Sequence, residues 1–341
     1  MLYDIAASMH IDALFRFINR KKLLVVMYHG VTNKKYDPPV WTQLPAEIFI
    51  NQMAFLKDSY RLVSLAEVIG AIKGEISLPE RAALVTFDDG LKNNYTVAFP
   101  ILQSMRIPST IFLTVNFIGT QEILWFDELY LIISGAMNIG RSITLPDGSV
   151  VSGSGPDKIW PVYVIFVEAL KRVGPEIRSR WLFDLNNKYP ILREEWLDDF
   201  GLLNWDEVLE MHHSGLVDFG VHTATHRILT ELDTTSFEDE IASPKNTLEN
   251  HLGQVTTSFC YPNGRPALDF DEEHIEYLKN TGFNCAFATC NKLFSPGNDN
   301  PFIIGRVPAG HDASSFPTRF RLNTSGLLQF TKSTMSKLKT F

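Results

Sequence analysis

The sequence predicts an α/β protein, a distorted (β/α)7 barrel with an inserted helical cap. Seven short apolar runs recur along the chain, and helical spacing fills most of the gaps between them. The runs are continuous rather than alternating, as expected of parallel strands covered on both faces. Polar residues with chemical potential stand at the C-terminal ends of these runs, the face on which βα barrels assemble their sites. Residues 1–341 are read as a single barrel domain, with 120–203 as a cap subdomain inserted within it.

Taken in order, a first helix over Asp4–Asn19 leads to the buried strand 23–30, closed by Gly30. Helical spacing follows over Pro45–Leu56 and Leu65–Lys73. The run Ala82-Ala83-Leu84-Val85 empties into Thr86-Phe87-Asp88-Asp89-Gly90, a buried strand ending in a loop. A helix over Thr96–Met105 and a strand at 110–114 come next. Alternation then stops for about eighty residues. Trp125–Met137 is helical, 143–151 is a hairpin about Pro146-Asp147-Gly148, Gly153-Ser154-Gly155-Pro156 is a linker, and helices fill Ile159–Phe200. Alternation resumes with helix Trp205–His213 and strand 216–222, then helix Phe237–Leu252 and strand 258–262. Helix Glu272–Asn280 and the strands 285–289 and 302–307 complete the set.

Composition narrows the function. A content of 45% hydrophobic and 21% charged residues is that of a globular protein. A net charge of −8 argues against nucleic acid as partner, because phosphate binding requires a basic surface. Cys260, Cys285 and Cys290 make no CxxC pair, so neither a disulfide framework nor a thiolate metal site is expected. The N-terminus lacks a basic n-region, and no run approaches the ~20 apolar residues of a membrane helix. A cytoplasmic setting is therefore expected. Ile11–Lys22 and Leu327–Lys339 are amphipathic and basic, and suit either a solvated helix or peripheral contact with the inner face of an anionic membrane.

Three motifs concentrate chemistry. Asp88 and Asp89 are adjacent carboxylates at the end of a buried strand, where mutual repulsion and burial penalise ionising both. A cation or a shared proton relieves this; an ordinary Asp-Gly turn is the alternative. In His222-Thr223-Ala224-Thr225-His226, two imidazoles four residues apart suit one metal ion, and with a carboxylate they make a His₂Asp set with an open position. Phe259-Cys260-Tyr261-Pro262-Asn263-Gly264-Arg265 turns sharply at a strand end, where backbone N–H groups are able to hold an oxyanion. His212-His213, beside Gly215, read as residues that close a helix C-terminus.

In that order the three motifs resemble those of the polysaccharide deacetylases, the metal-dependent carbohydrate esterases of the NodB type. Met27-Tyr28-His29-Gly30-Val31 resembles the Tyr-His-Gly-Val segment of the poly-N-acetylglucosamine deacetylase branch. Trp125-Phe126-Asp127-Glu128 is similar to a Trp-Asp-Glu segment of relatives with an insertion. The resemblance covers roughly Leu23–Pro308 apart from the cap. It implies that Asp89, His222 and His226 hold one divalent ion, commonly Zn2+, and that Asp88 is the general base toward metal-activated water. It implies that the Tyr261 N–H stabilises the oxyanion, that Arg306, or alternatively Arg265, orients Asp88, and that His29 protonates the leaving amine. The late Leu-x-His acid motif of better-known members is missing, and Gly310-His311-Asp312 offers only His311 in its place.

The function implied is removal of N-acetyl groups from an amino-sugar glycan or glycan precursor, one linked to a lipid or a nucleotide being compatible, in synthesis of a surface glycan. Trp125 and Trp160 in the cap suit stacking on sugar rings. The competing readings are the same amide hydrolysis on a cyclic amide or formamide, and a catalytically silent glycan-binding module.

Overall fold

The computed structural model describes residues 11–329 other than 145–147, 149, 152–155, 172 and 311–314. Its centre is a parallel sheet curled into a barrel. The barrel strands are β1 (Leu24–Tyr28), β2 (Ala82–Phe87), β3 (Ser109–Leu113), β4 (Val217–Val221), β5 (Ser258–Cys260) and β6 (Cys285–Ala288). The seventh, β7, is split into Ile304–Gly305 and Val307–Pro308. The first half of β7 pairs with β6 and the second with β1, so residues 304–308 join the two ends of the sheet. Arg306 is the residue between the halves, and its side chain lies buried.

Most strands divide their residues between two apolar clusters, as the period of two requires. Leu24, Val26 and Tyr28 of β1 join the layer between sheet and helices, whereas Leu23 and Val25 join a second cluster with Phe112 and Phe287. Phe112 and Phe287 meet with ring centroids 5.0 Å apart. The Arg306 guanidinium sits 6.0 Å from the Phe112 ring, which places the aromatic pair next to the charged site. Gly220 on β4 is required by this packing, because a Cβ there would fall 2.6 Å from the Phe112 ring.

Helices Ala46–Ser59, Leu65–Ile72, Trp205–His213 and Glu272–Asn280 lie close to the expected ranges. Two differ at their starts: Phe99–Met105 and Ser243–Leu252 are each preceded by a wide π-type turn, Asn94–Ala98 and Glu238–Ala242. The expected first helix is described over Ile11–Ile18, and the basic tail beyond 329 lies outside the described residues. Two-residue and three-residue strands at Gly30–Thr32, Gln43–Pro45 and Arg61–Leu62 were not expected; runs that short carry no readable period.

Within 120–203 stand helices Trp125–Asn138, Pro156–Lys171 and Pro175–Lys188 and the paired strands Ile143–Thr144 and Val150–Val151. Leu129, Ile132, Ile133, Ile159, Phe166 and Leu182 form an apolar cluster among these helices. The turn of the hairpin and most of the Gly-Ser-Gly linker lie outside the described residues. Among the described residues no helix is long and apolar enough to cross a membrane.

Candidate active site

The end of β2 sets out the two carboxylates differently. The Asp88 N–H donates to the Tyr28 carbonyl at 2.9 Å, continuing the ladder with β1. Asp89 then turns left-handed at φ 72°, a conformation an aspartate tolerates better than most residues. Gly90 follows at φ 80°, where a Cβ would lie 2.6 Å from Leu113. Consecutive residues thereby point their side chains into separate surroundings.

Asp88 is clamped by Arg306. Nη1 reaches Oδ1 at 2.6 Å and Nη2 reaches Oδ2 at 2.9 Å, a bidentate fork with both side chains buried. Burial opposes ionisation of Asp88, but the Arg306 charge, with His222 and His29 nearby, holds its pKa well below the usual carboxylate range. Arg265, the alternative for this role, is occupied elsewhere: its guanidinium forks onto Asp269 at 2.8 and 2.9 Å.

Asp89 has no such partner. It is fully buried, and neither carboxylate oxygen has a hydrogen-bond partner. Burial, followed by the charges of Asp88 and Asp127, raises its pKa well above the ordinary value. His222 Nε2 and His226 Nε2 lie 3.5 and 3.4 Å from Asp89 Oδ1. His222 Nδ1 lies 2.8 Å from the Cys260 carbonyl, which can only accept, so Nδ1 carries the proton and the lone pair of Nε2 faces Asp89. A carboxylate and an imidazole lone pair facing one another, both buried, require something positive between them.

The two histidines do not share a helix. They sit on a turn after β4, with Thr223 and His226 at φ 62° and 61°, and this turn is braced from behind. Glu240 accepts from the Ala224 and Thr225 N–H groups at 3.1 and 3.0 Å and from the Thr225 hydroxyl. Strained backbone held this way belongs to positions that the surrounding structure over-determines. Nothing in the local sequence marks Glu240 for this task.

The Tyr261 N–H, the expected oxyanion donor, donates to the Phe287 carbonyl at 3.1 Å as part of the β5–β6 ladder. It is therefore engaged. The next turn residue, Asn263, stands at φ 57°, lines the cavity, and has a buried Nδ2 with no partner. Gly264 follows at φ 73°, and a Cβ on it would fall 2.9 Å from the Thr289 nitrogen.

His29, after β1, also faces the cavity, and its ring makes no hydrogen bond among the described residues. The Trp41 ring lies edge-on to it at 4.7 Å. Burial lowers the His29 pKa to about 4, with Asp88 pulling the other way. His311, the other candidate acid, lies outside the described residues. Cys260 departs from the expectation that the cysteines have no place in a metal site: Asp88, His222 and Cys260 also present ligand atoms within 4.8 Å of one another. That group is less suited to an ion. Asp88 is already paired with Arg306, and burial pushes the Cys260 thiol up, so it stays protonated and points at Asp88 Oδ1 at 3.5 Å.

His29, Asp88, His222, His226 and Asn263 line a cavity of about 390 Å³ that the cap also lines. Trp125, Trp160, Tyr163 and Val167 come from cap helices, while Met27, His29 and Asp88 come from the barrel. The sequence model of the polysaccharide deacetylase family matches residues 75–286. The chain belongs to the polysaccharide deacetylase family. Over 87 residues it is 33% identical to the poly-β-1,6-N-acetyl-D-glucosamine N-deacetylase of Escherichia coli (strain K12). That stretch is 25% of this chain and only 13% of the relative's length. Among solved structures, the polysaccharide deacetylase BC0361 from Bacillus cereus superposes with a TM-score of 0.57 at 20% identity, over 89% of this chain and 69% of that one. IcaB from Ammonifex degensii gives 0.55 at 21%, over 89% of this chain and 97% of that one. At such identities the structural likeness speaks for the fold.

Proposed function

We propose that this polysaccharide deacetylase family member is a metal-dependent N-deacetylase that removes acetyl groups from an amino-sugar glycan or glycan precursor. The observation that carries this reading is the orphaned, buried Asp89 carboxylate facing two imidazole nitrogens, beside an Asp88 kept ionised by Arg306. Asp89, His222 and His226 would hold one divalent ion, and the N₂O donor set with an open side suits Zn2+ in a catalytic rather than a structural site. Such an ion supplies Lewis acidity toward water and the amide carbonyl.

The remaining work falls to the chain's own groups. Asp88 takes the proton from the attacking water, and its bidentate pairing fixes which oxygen faces the cavity. Because Arg306 favours the carboxylate, the base stands ready in its ionised form at neutral pH. Asn263 offers Nδ2–H to the developing oxyanion, a contact of the kind that supplies about 3–4 kcal/mol in the transition state. His29 stands over the cavity as the group that hands a proton to the departing amine; held neutral at rest, it must take up that proton as the reaction proceeds. Trp125, Trp160 and Tyr163 give flat apolar faces suited to pyranose rings.

Replacing Asp88 by Asn keeps the shape and removes the base. Acetate release from N-acetylglucosamine oligosaccharides is expected to fall by about 10²–10⁴-fold while bound metal is retained. An Asp88→Asn protein with full activity overturns the assignment of the base.

A further inference from the structure

The cap carries a charged group that the deacetylation chemistry does not use. Arg178, on the cap helix Pro175–Lys188, is 7% exposed and lines the same cavity as the catalytic groups. Among the described residues its guanidinium makes no ion pair and no side-chain hydrogen bond. Its one close partner is the face of Trp125, whose ring centroid lies 4.7 Å from Cζ. A buried arginine without a paired carboxylate is uncommon, because the cation loses its hydration and gains little in return.

Among the described residues, the carboxylates around it act at a distance and none pairs with it. Glu231 also lines the cavity and its charge reaches Arg178, yet no carboxylate oxygen comes within ion-pair distance, and Glu231 Oε2 is itself buried without a partner. Arg227 adds a second guanidinium: Nη2 donates to the Glu231 carbonyl at 3.3 Å, and Nε is buried and unpartnered. The third cation, Lys171, is paired with Glu168 at 3.4 Å. The two cations that line the cavity, Lys171 and Arg178, are matched in number by Glu168 and Glu231, and Glu176 also acts on Arg178, yet among the described residues only Lys171 and Glu168 of this group are paired.

Position adds to composition. A continuous row of rings leads from the candidate metal site to Arg178. The His226 and Phe126 rings are 5.2 Å apart, Phe126 and Trp125 are 5.7 Å apart, and the guanidinium covers Trp125. A saccharide whose acetamido group sits at Asp88 would extend along this row of rings toward Arg178, which lines the same cavity. The guanidinium fork matches the paired oxygens of a phosphate or carboxylate, and the aromatic face beneath it holds the fork in plane.

We propose that Arg178 receives an anionic group, a phosphate ester or a carboxylate, that the saccharide substrate carries next to its acetylated amino sugar. Arg178 is then a specificity residue of the deacetylase, and the proposal rests on the deacetylase reading given above. A cavity that presents an unpaired guanidinium suits an anionic saccharide better than the middle of a neutral polymer.

The test compares three probes on metal-loaded full-length protein: methyl N-acetylglucosaminide, N-acetylglucosamine 1-phosphate, and a disaccharide of N-acetylglucosamine with a hexuronic acid. Acetate release gives kcat and KM for each. The wild-type protein is expected to favour one or both anionic probes by about tenfold or more in kcat/KM. Arg178→Gln should lose that preference through KM, by about 10–100-fold, and leave the neutral probe unchanged. Arg178→Lys, which keeps the charge and loses the fork, should retain part of it. The phosphate and uronate arms identify which anion is read. Equal kcat/KM for neutral and anionic probes in the wild type, or an equal loss on all three in Arg178→Gln, overturns the proposal. If no probe releases acetate, the deacetylase reading has failed separately. Calorimetric binding of N-acetylglucosamine 1-phosphate and of the uronate disaccharide, each to wild type and Arg178→Gln, then decides the proposal. At least one of them binding the wild type more tightly upholds it; no loss with either overturns it.

Discussion

Asp88 and Asp89 are neighbours in sequence and opposites in environment. One is paired with a guanidinium on both oxygens and the other with nothing, although both are buried. The sequence makes the pair conspicuous, and strand-end placement identifies the rim on which it acts. Which carboxylate does what depends on Arg306, more than two hundred residues away, which the family resemblance points to and no local pattern does. Asn263, Glu240 and Arg178 escape sequence reading for the same reason: each is an ordinary residue until tertiary neighbours leave it unpartnered or give it one. A further buried carboxyl, Asp127, accepts from the Thr42 hydroxyl at 2.8 Å, and burial raises its pKa to about 7. A raised folded-state pKa means the native protein holds this proton more tightly than the unfolded chain does, whose aspartates titrate near about 3.9. Asp127 therefore favours folding at low pH, and that contribution is lost as pH rises from about 4 to about 7, then stays constant. Asp127→Asn, whose amide oxygen still accepts from Thr42, is expected to gain on the wild type in Tm across that window and to level off above it. Thermal melts at pH 5, 6, 7 and 8 check this, and a difference independent of pH contradicts it.

At the scale of elements, the barrel strands are legible because each is a short continuous apolar run between helices, and a buried parallel strand has no other simple pattern. The expected strand 302–307 is displaced to 304–308, since what defines it is pairing with β1 and β6 rather than its own composition. The His222–His226 segment is a strained turn rather than a helix, and spacing alone suits both. The turn after β5 is the element on which the oxyanion contact depends. Gly264 holds a left-handed conformation with no room for a Cβ, so Gly264→Ala should destabilise the protein by about 1–3 kcal/mol and displace Asn263. Denaturant unfolding together with kcat tests the point. The expected result is a fall in kcat well beyond what the lost stability explains; unchanged kcat in folded protein contradicts the role given to this turn.

At the scale of the whole molecule, two parts meet over one cavity: a barrel that supplies charge and an insertion that supplies aromatic surface and Arg178. The interruption of strand-helix alternation marks the insertion in the sequence. Its closure over the barrel mouth follows only from contacts such as Trp41 against Phe126, at 6.0 Å between ring centroids. The central claim is that Asp89, His222 and His226 hold a divalent ion on which deacetylation depends. The most direct measurement is zinc titration of chelator-stripped protein, with bound metal and acetate release followed together. Release should be absent in stripped protein and rise in proportion to bound zinc up to one ion per chain, and Asp89→Asn should bind no zinc under the same conditions. Full acetate release from stripped protein, or zinc binding unaffected by Asp89→Asn, would contradict that claim.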